Sequence, residues 1–63
     1  MEKRFKILTY LVLSDSRLDQ FTDKIEEVAK AIDSGYPKAK EMLTFLENWV
    51  LEYLEEYELA QLN

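Results

Sequence analysis

The chain has no cysteine and no histidine. The first absence removes disulfides and thiolate chemistry, and the second removes the commonest general base and metal ligand. Together they exclude zinc fingers, haem ligation through those side chains and most nucleophile–base pairs. A chain without cysteine suits a reducing compartment, and the cytoplasm is the expected location. Glycine and proline are nearly absent, with one of each in 63 residues. Nothing in the chain reads as a linker, repeat or low-complexity tract, so residues 1–63 are expected to form one domain. A domain this short buries little apolar surface. Without disulfides or a metal, self-association is the remaining device, and a two-fold homodimer is the expected assembly.

Positive charge is missing from the last third of the chain. Residues 1–40 hold all eight basic residues and seven acids, a net of +1; residues 41–63 hold six acids and no base, a net of −6; the total is −5. Such a split points to two different surfaces. Long apolar runs are also missing. The stretch Ile7–Leu13 is short, follows the basic start KRFK, and is followed by SDSR rather than by a cleavage pattern of small residues. Neither a signal peptide nor a membrane-spanning helix is expected, and no membrane partner.

The single glycine and proline fall together in SGYP and mark one break. Gly35 suits the left-handed residue that ends a helix, and Pro37 suits the first turn of the next. Before the break, Leu18, Phe21, Ile25, Val28 and Ile32 recur at alternating spacings of 3 and 4. Ser14, Asp15 or Ser16 stands ready as an N-cap, and residues 16–34 are expected to be helix. After the break, Ala39, Leu43, Leu46, Val50, Tyr53, Tyr57 and Ala60 alternate at 4 and 3, and residues 37–60 are expected to be a second helix. Met42, Phe45 and Trp49 widen its apolar stripe on one side and Leu54 on the other. A stripe this wide needs two neighbours, one being the helix over 16–34 and the other coming from a second chain.

The opening stretch KRFKILTYLVLSD is the most strand-like run. Phe5, Ile7, Thr9, Tyr10 and Val12 are β-branched or aromatic, which favours a strand over residues 3–13. A short buried helix is the alternative, because a nearly continuous apolar run carries no periodicity that separates the two. A lone strand has no partner in its own chain, so the strand reading pairs it antiparallel with the same strand of a second copy. The fold class expected is therefore mainly α, a strand-helix-helix chain in an intertwined homodimer. The alternative is all-α, a helical hairpin or three-helix unit in a dimeric bundle.

The order strand, helix, break, helix resembles the ribbon-helix-helix family of Arc/MetJ-like DNA-binding proteins. The likeness lies in the basic start and strand of KRFKILTYLVLSDS, the Leu13-Ser14-Asp15 entry to the first helix, its core positions Leu18, Phe21 and Ile25, and the glycine-containing turn SGYPKAKEMLTFL. The resemblance implies a small transcriptional regulator whose paired strands enter the major groove while the second helix's N-terminus anchors phosphates. Carried over, Lys3, Arg4, Lys6 and Tyr10 would face the DNA, and Lys38 and Lys40 would meet the backbone. The antitoxin variety of the family offers a use for the acidic last helix, as a surface for a partner protein. Both helices of this chain are longer than the family pattern by a turn or more. The pattern LDQF…KIEEV…MLTFLENWVLEYL also resembles the last helical hairpin of hemerythrin-like proteins. Ser14, Leu18 and Tyr53 stand where that family's histidines are sought, leaving only the acidic Glu58, so a di-iron site is not expected to form in that family's manner.

Chemistry has few other candidates. Glu52, Glu55, Glu56 and Glu58 suit hard cations, but they spread around a helix, and a hairpin of this size has little interior for converging groups. No enzymatic activity, cofactor or metal is expected. Leu43, Leu46, Trp49, Val50, Tyr53 and Tyr57 are the expected dimer or partner interface, because Trp and Tyr concentrate in interface centres. The second functional reading follows from them: a non-enzymatic adaptor or inhibitor acting through an acidic, aromatic-rich helix, with no nucleic acid involved.

Overall fold

A computed structural model describes the backbone of residues 2–62 and the side chains of residues 3–62. The elements are α1 (Glu2–Ser14), a 3-10 helix (Ser16–Phe21), α2 (Thr22–Asp33) and α3 (Ala39–Leu62). The fold is mainly helical, and among the described residues there is no strand.

The strand expected over residues 3–13 is replaced by the helical alternative, and the reason is physical. A helix satisfies its backbone N–H and C=O groups within the segment, whereas a lone strand leaves both edges open. Phe5, Leu8, Leu11 and Val12 also fall on one face at helical spacing. Leu8 and Val12 are buried, with Phe5 and Leu11 packed partly against them. Ile7, Tyr10 and Leu13 are apolar too but stand on the opposite, exposed face. They mask the period, and packing decides over β propensity.

The helix expected over 16–34 is present in two pieces. Asp15 caps the first, its side chain accepting the Arg17 backbone N–H at 3.0 Å. In 3-10 geometry residues three apart lie one above the other, which stacks Leu18 on Phe21. Both are buried. The chain then relaxes into α2, whose Ile25 and Val28 continue the buried row. At its end Gly35 takes φ +73°. The Tyr36 N–H donates to Ala31 O at 3.0 Å and the Gly35 N–H to Ile32 O at 3.2 Å. These are the two bonds of a Schellman cap. Pro37 does not open α3 as expected; it sits in a turn with Lys38, and α3 begins at Ala39. The Lys38 carbonyl accepts the Met42 N–H, so the helical ladder reaches back to that residue.

Ala39, Leu43, Leu46 and Val50 are the buried row of α3. One cluster joins the last three to Leu8 and Val12 of α1 and to Leu18, Phe21, Ile25 and Val28. The second neighbour expected from another chain is thus supplied by α1 of the same chain. Arg4 fixes its register: its guanidinium binds the Glu47 carboxylate, with Nε 3.3 Å from Oε2, and Nη2 donates to Thr44 Oγ1 at 3.1 Å. The segment after α1 brings Arg17 over the Tyr57 ring. So α1 and α3 run in the same direction, with α2 antiparallel between them, in a rod of 44 × 19 × 18 Å.

Candidate protein-docking face

An aromatic ladder runs along one flank of α3, and a buried phenylalanine from the 3-10 helix ties it down. Phe21 meets Trp49 edge to face, with centroids 5.3 Å apart, and Tyr53 likewise at 5.7 Å. The Phe45 ring extends the ladder beyond Trp49 at 6.0 Å, and Tyr57 extends it beyond Tyr53 at 6.4 Å. Edge-to-face pairs set the positive ring edge against the negative face, so the rings fix one another's orientation. The Arg17 guanidinium closes the far end, 5.1 Å from the Tyr57 centroid. Arg17 is itself held by Asp15 through a fork: Nε to Oδ1 at 3.0 Å and Nη2 to Oδ2 at 2.6 Å. This fork, together with the Arg17 N–H, holds the Asp15 carboxyl below its ordinary range.

The other end of the ladder is open. Phe45 is 69% exposed and Trp49 is 43% exposed. They form one wall of a hollow of about 420 Å³ between α2 and α3, whose floor and far side include Val28, Met42 and Tyr36. Further hollows of similar volume lie on the outer side of Phe45, beside Thr44 and Asn48 and beside Glu52. Phe45 therefore stands as a ridge between recesses. The hollow's rim is charged. Lys24 pairs with Glu27 at 3.6 Å, and Lys38 and Glu41 stand at the α3 end. An apolar recess with an aromatic ridge and a charged rim is the anatomy of a protein-binding patch.

The expected interface residues divide in two. Leu43, Leu46 and Val50 are corrected to the chain's own core, where each is at most 3% exposed. Helical spacing marked the stripe but could not say which chain would cover it. Trp49, Tyr53 and Tyr57 belong to the ladder, half-buried except for the exposed Trp49. Sequence reasoning missed Phe45 and Tyr36 as walls of a recess; the only signal was that Phe45 widened the α3 stripe.

The residues expected at DNA stand on two elements, α1 and the start of α3, which meet where Arg4 binds Thr44. Lys3, Lys6 and Tyr10 are exposed on α1. Arg4 is corrected from a groove-facing residue to a link between α1 and α3, since Glu47 and Thr44 hold its guanidinium. Lys38 and Lys40 are exposed at the start of α3. Glu52, Glu55, Glu56 and Glu58 are exposed, and among the described residues no group of three or more acidic, cysteine or histidine side chains could hold a metal ion. No described helix is long and apolar enough to cross a membrane. No family model matches this chain, and no curated protein or solved structure gives a significant match, so the α2–α3 flank is read from its own geometry.

Proposed function

We propose that this chain is a non-enzymatic docking module, an adaptor or inhibitor that binds another protein through the α2–α3 flank. The observation that carries the reading is the exposed Phe45–Trp49 pair beside a preformed recess. The partner it fits is an amphipathic helix. Its apolar stripe lies in the recess, and its basic residues meet Glu52 and Glu56 on the exposed side of α3. A homodimer is compatible with this role, because among the described residues as many large hydrophobic side chains stand exposed as are buried.

The DNA-binding reading, with its ribbon-helix-helix resemblance and antitoxin variant, is the competing proposal. It draws on Lys38 and Lys40, exposed at the start of α3. The helix over residues 2–14, the engagement of Arg4 by Glu47 and the net charge of −5 favour docking instead. Photocrosslinking from position 45 in the native host separates the two. The docking reading expects one discrete protein adduct, lost on Trp49→Ala. Duplex DNA binding that falls steeply with salt and weakens on Lys38→Ala would overturn it.

A further inference from the structure

We infer that the docking flank covers itself: two copies of this chain pair antiparallel along α3, about a two-fold axis that lies in the interface at the level of residue 47. Glu47 itself is turned away, bound to Arg4 of α1. Lys38 and Glu56 lie nine residues before and after it, two and a half turns in each direction. Both therefore stand on the line of α3 opposite Arg4, and both are exposed. The Lys38 carbonyl accepts the Met42 N–H, so the helical period holds back to that residue. Phe45 and Trp49 lie two residues either side of the same level and straddle the line, with their ring centroids 6.0 Å apart.

A two-fold axis that crosses α3 within the interface sends each level of the helix to its mirror level and keeps each side of the line on its own side. Every Lys38 then faces the partner's Glu56, and every Phe45 lies level with the partner's Trp49. The shape fits as well. One hollow on the outer side of Phe45 is bordered by Phe45, Asn48, Trp49 and Glu52. Offsets of 3, 4 and 7 from Phe45 make it the hole of a knobs-into-holes contact. The half-turn carries each Phe45 ring to the middle of the partner's hole. A helix with its own knob and its own hole at mirrored levels is complementary to itself, as an isologous dimer requires. One contact opposes pairing: Glu41 comes within one residue of the level of the partner's Glu52, on the same side of the line. The pair is therefore weak, and it yields to the amphipathic helix that the flank receives. Its role as a mask rests on the docking reading; the pairing itself does not.

Two glutamates one turn apart on α3 test the axis. Glu56→Lys sets like charges opposite each other at Lys38 and should weaken pairing about fivefold at low ionic strength. Glu52→Lys turns the contact with Glu41 attractive and should tighten pairing by about the same factor. Both variants alter the net charge equally, so a non-specific effect of charge would shift both in one direction. Both positions are exposed, and the helical circular dichroism should be unchanged. Sedimentation equilibrium up to ~1 mM should show the wild type approaching twice the 7.5 kDa chain mass. The emission of Trp49, the only tryptophan, should move to the blue as it does so. Phe45→Ser should abolish both signals. A wild type that stays single at ~1 mM would overturn the inference. So would two lysine variants that shift together, or a dimer indifferent to Phe45→Ser. A single chain that still captures a protein by photocrosslinking overturns the pairing and leaves the docking reading standing. A chain that pairs as described and captures nothing supports the pairing and overturns the docking reading alone.

Discussion

Phe21 and Trp49 meet with ring centroids 5.3 Å apart and planes 82° apart, one ring 1% exposed and the other 43%. This contact connects the core to the docking flank. Phe21 anchors two rings of the ladder, and Trp49 presents its free side to the recess. The orientation of the exposed aromatic wall is therefore set from inside the fold.

Replacing the anchor should be costly and replacing the ridge should not. Phe21→Leu removes two edge-to-face contacts, each contributing about 0.5–1.5 kcal/mol beyond area burial, so a loss of about 1–3 kcal/mol is expected. In a domain of this length that lowers Tm by roughly 4–8 °C per kcal/mol. Phe45→Leu acts at an exposed ring and should change stability by less than about 0.5 kcal/mol. Thermal melts of the two variants give the comparison, with the near-ultraviolet dichroism of Trp49 reporting lost ring order. Equal destabilisation by both would refute the division between anchor and ridge.

Thr9 offers the opposite sign. Its Oγ1 is buried with no hydrogen-bond partner among the described residues. A buried hydroxyl that makes no bond has lost its water without compensation. Thr9→Val keeps the β-branched shape, has similar helix propensity and removes the unpaired oxygen, so it should stabilise the chain by about 1 kcal/mol. A higher denaturant midpoint at constant m-value is the expected result. A lower midpoint would mean that the hydroxyl is bonded in solution.

Much of this fold was legible in the sequence where period and punctuation agreed. Leu18, Phe21, Ile25 and Val28 were placed in the core from spacing alone, and Gly35 was placed at a helix end because its left-handed φ is costly for other residues. The first helix was not legible. Its two faces carry Leu8 and Val12 on one side and Ile7, Tyr10 and Leu13 on the other, so hydrophobicity alone shows no face at all. With residues 2–14 helical, Leu8 and Val12 pack in one cluster with Leu43, Leu46 and Val50, the place that the width of the α3 stripe assigns to a second chain. The recess was illegible for another reason: it exists only because α2 and α3 sit at a particular separation, which depends on the complete packing of all the helices.

The Asp15–Arg17 fork predicts a specific acid sensitivity. The hydrogen bonds from the Arg17 guanidinium, and then from the Arg17 backbone N–H, lower the Asp15 pKa from its ordinary 3.8. A carboxyl with a depressed folded pKa binds protons less readily when folded than when unfolded. It therefore contributes stability above its unfolded pKa, and that contribution disappears as pH falls through the folded value. The window lies below 3.8. Asn at this position still caps the 3-10 helix but cannot ionise, and it leaves Arg17 without its anionic partner. Asp15→Asn should thus be less stable than the wild type at neutral pH, and the difference should shrink below pH 3.8 as the wild-type carboxyl protonates. Melts at matched ionic strength from neutral to strongly acidic pH measure that difference. A gap that stays constant across the range would show that the fork contributes nothing through its charge, and that Asp15 acts on the helix start by capping alone.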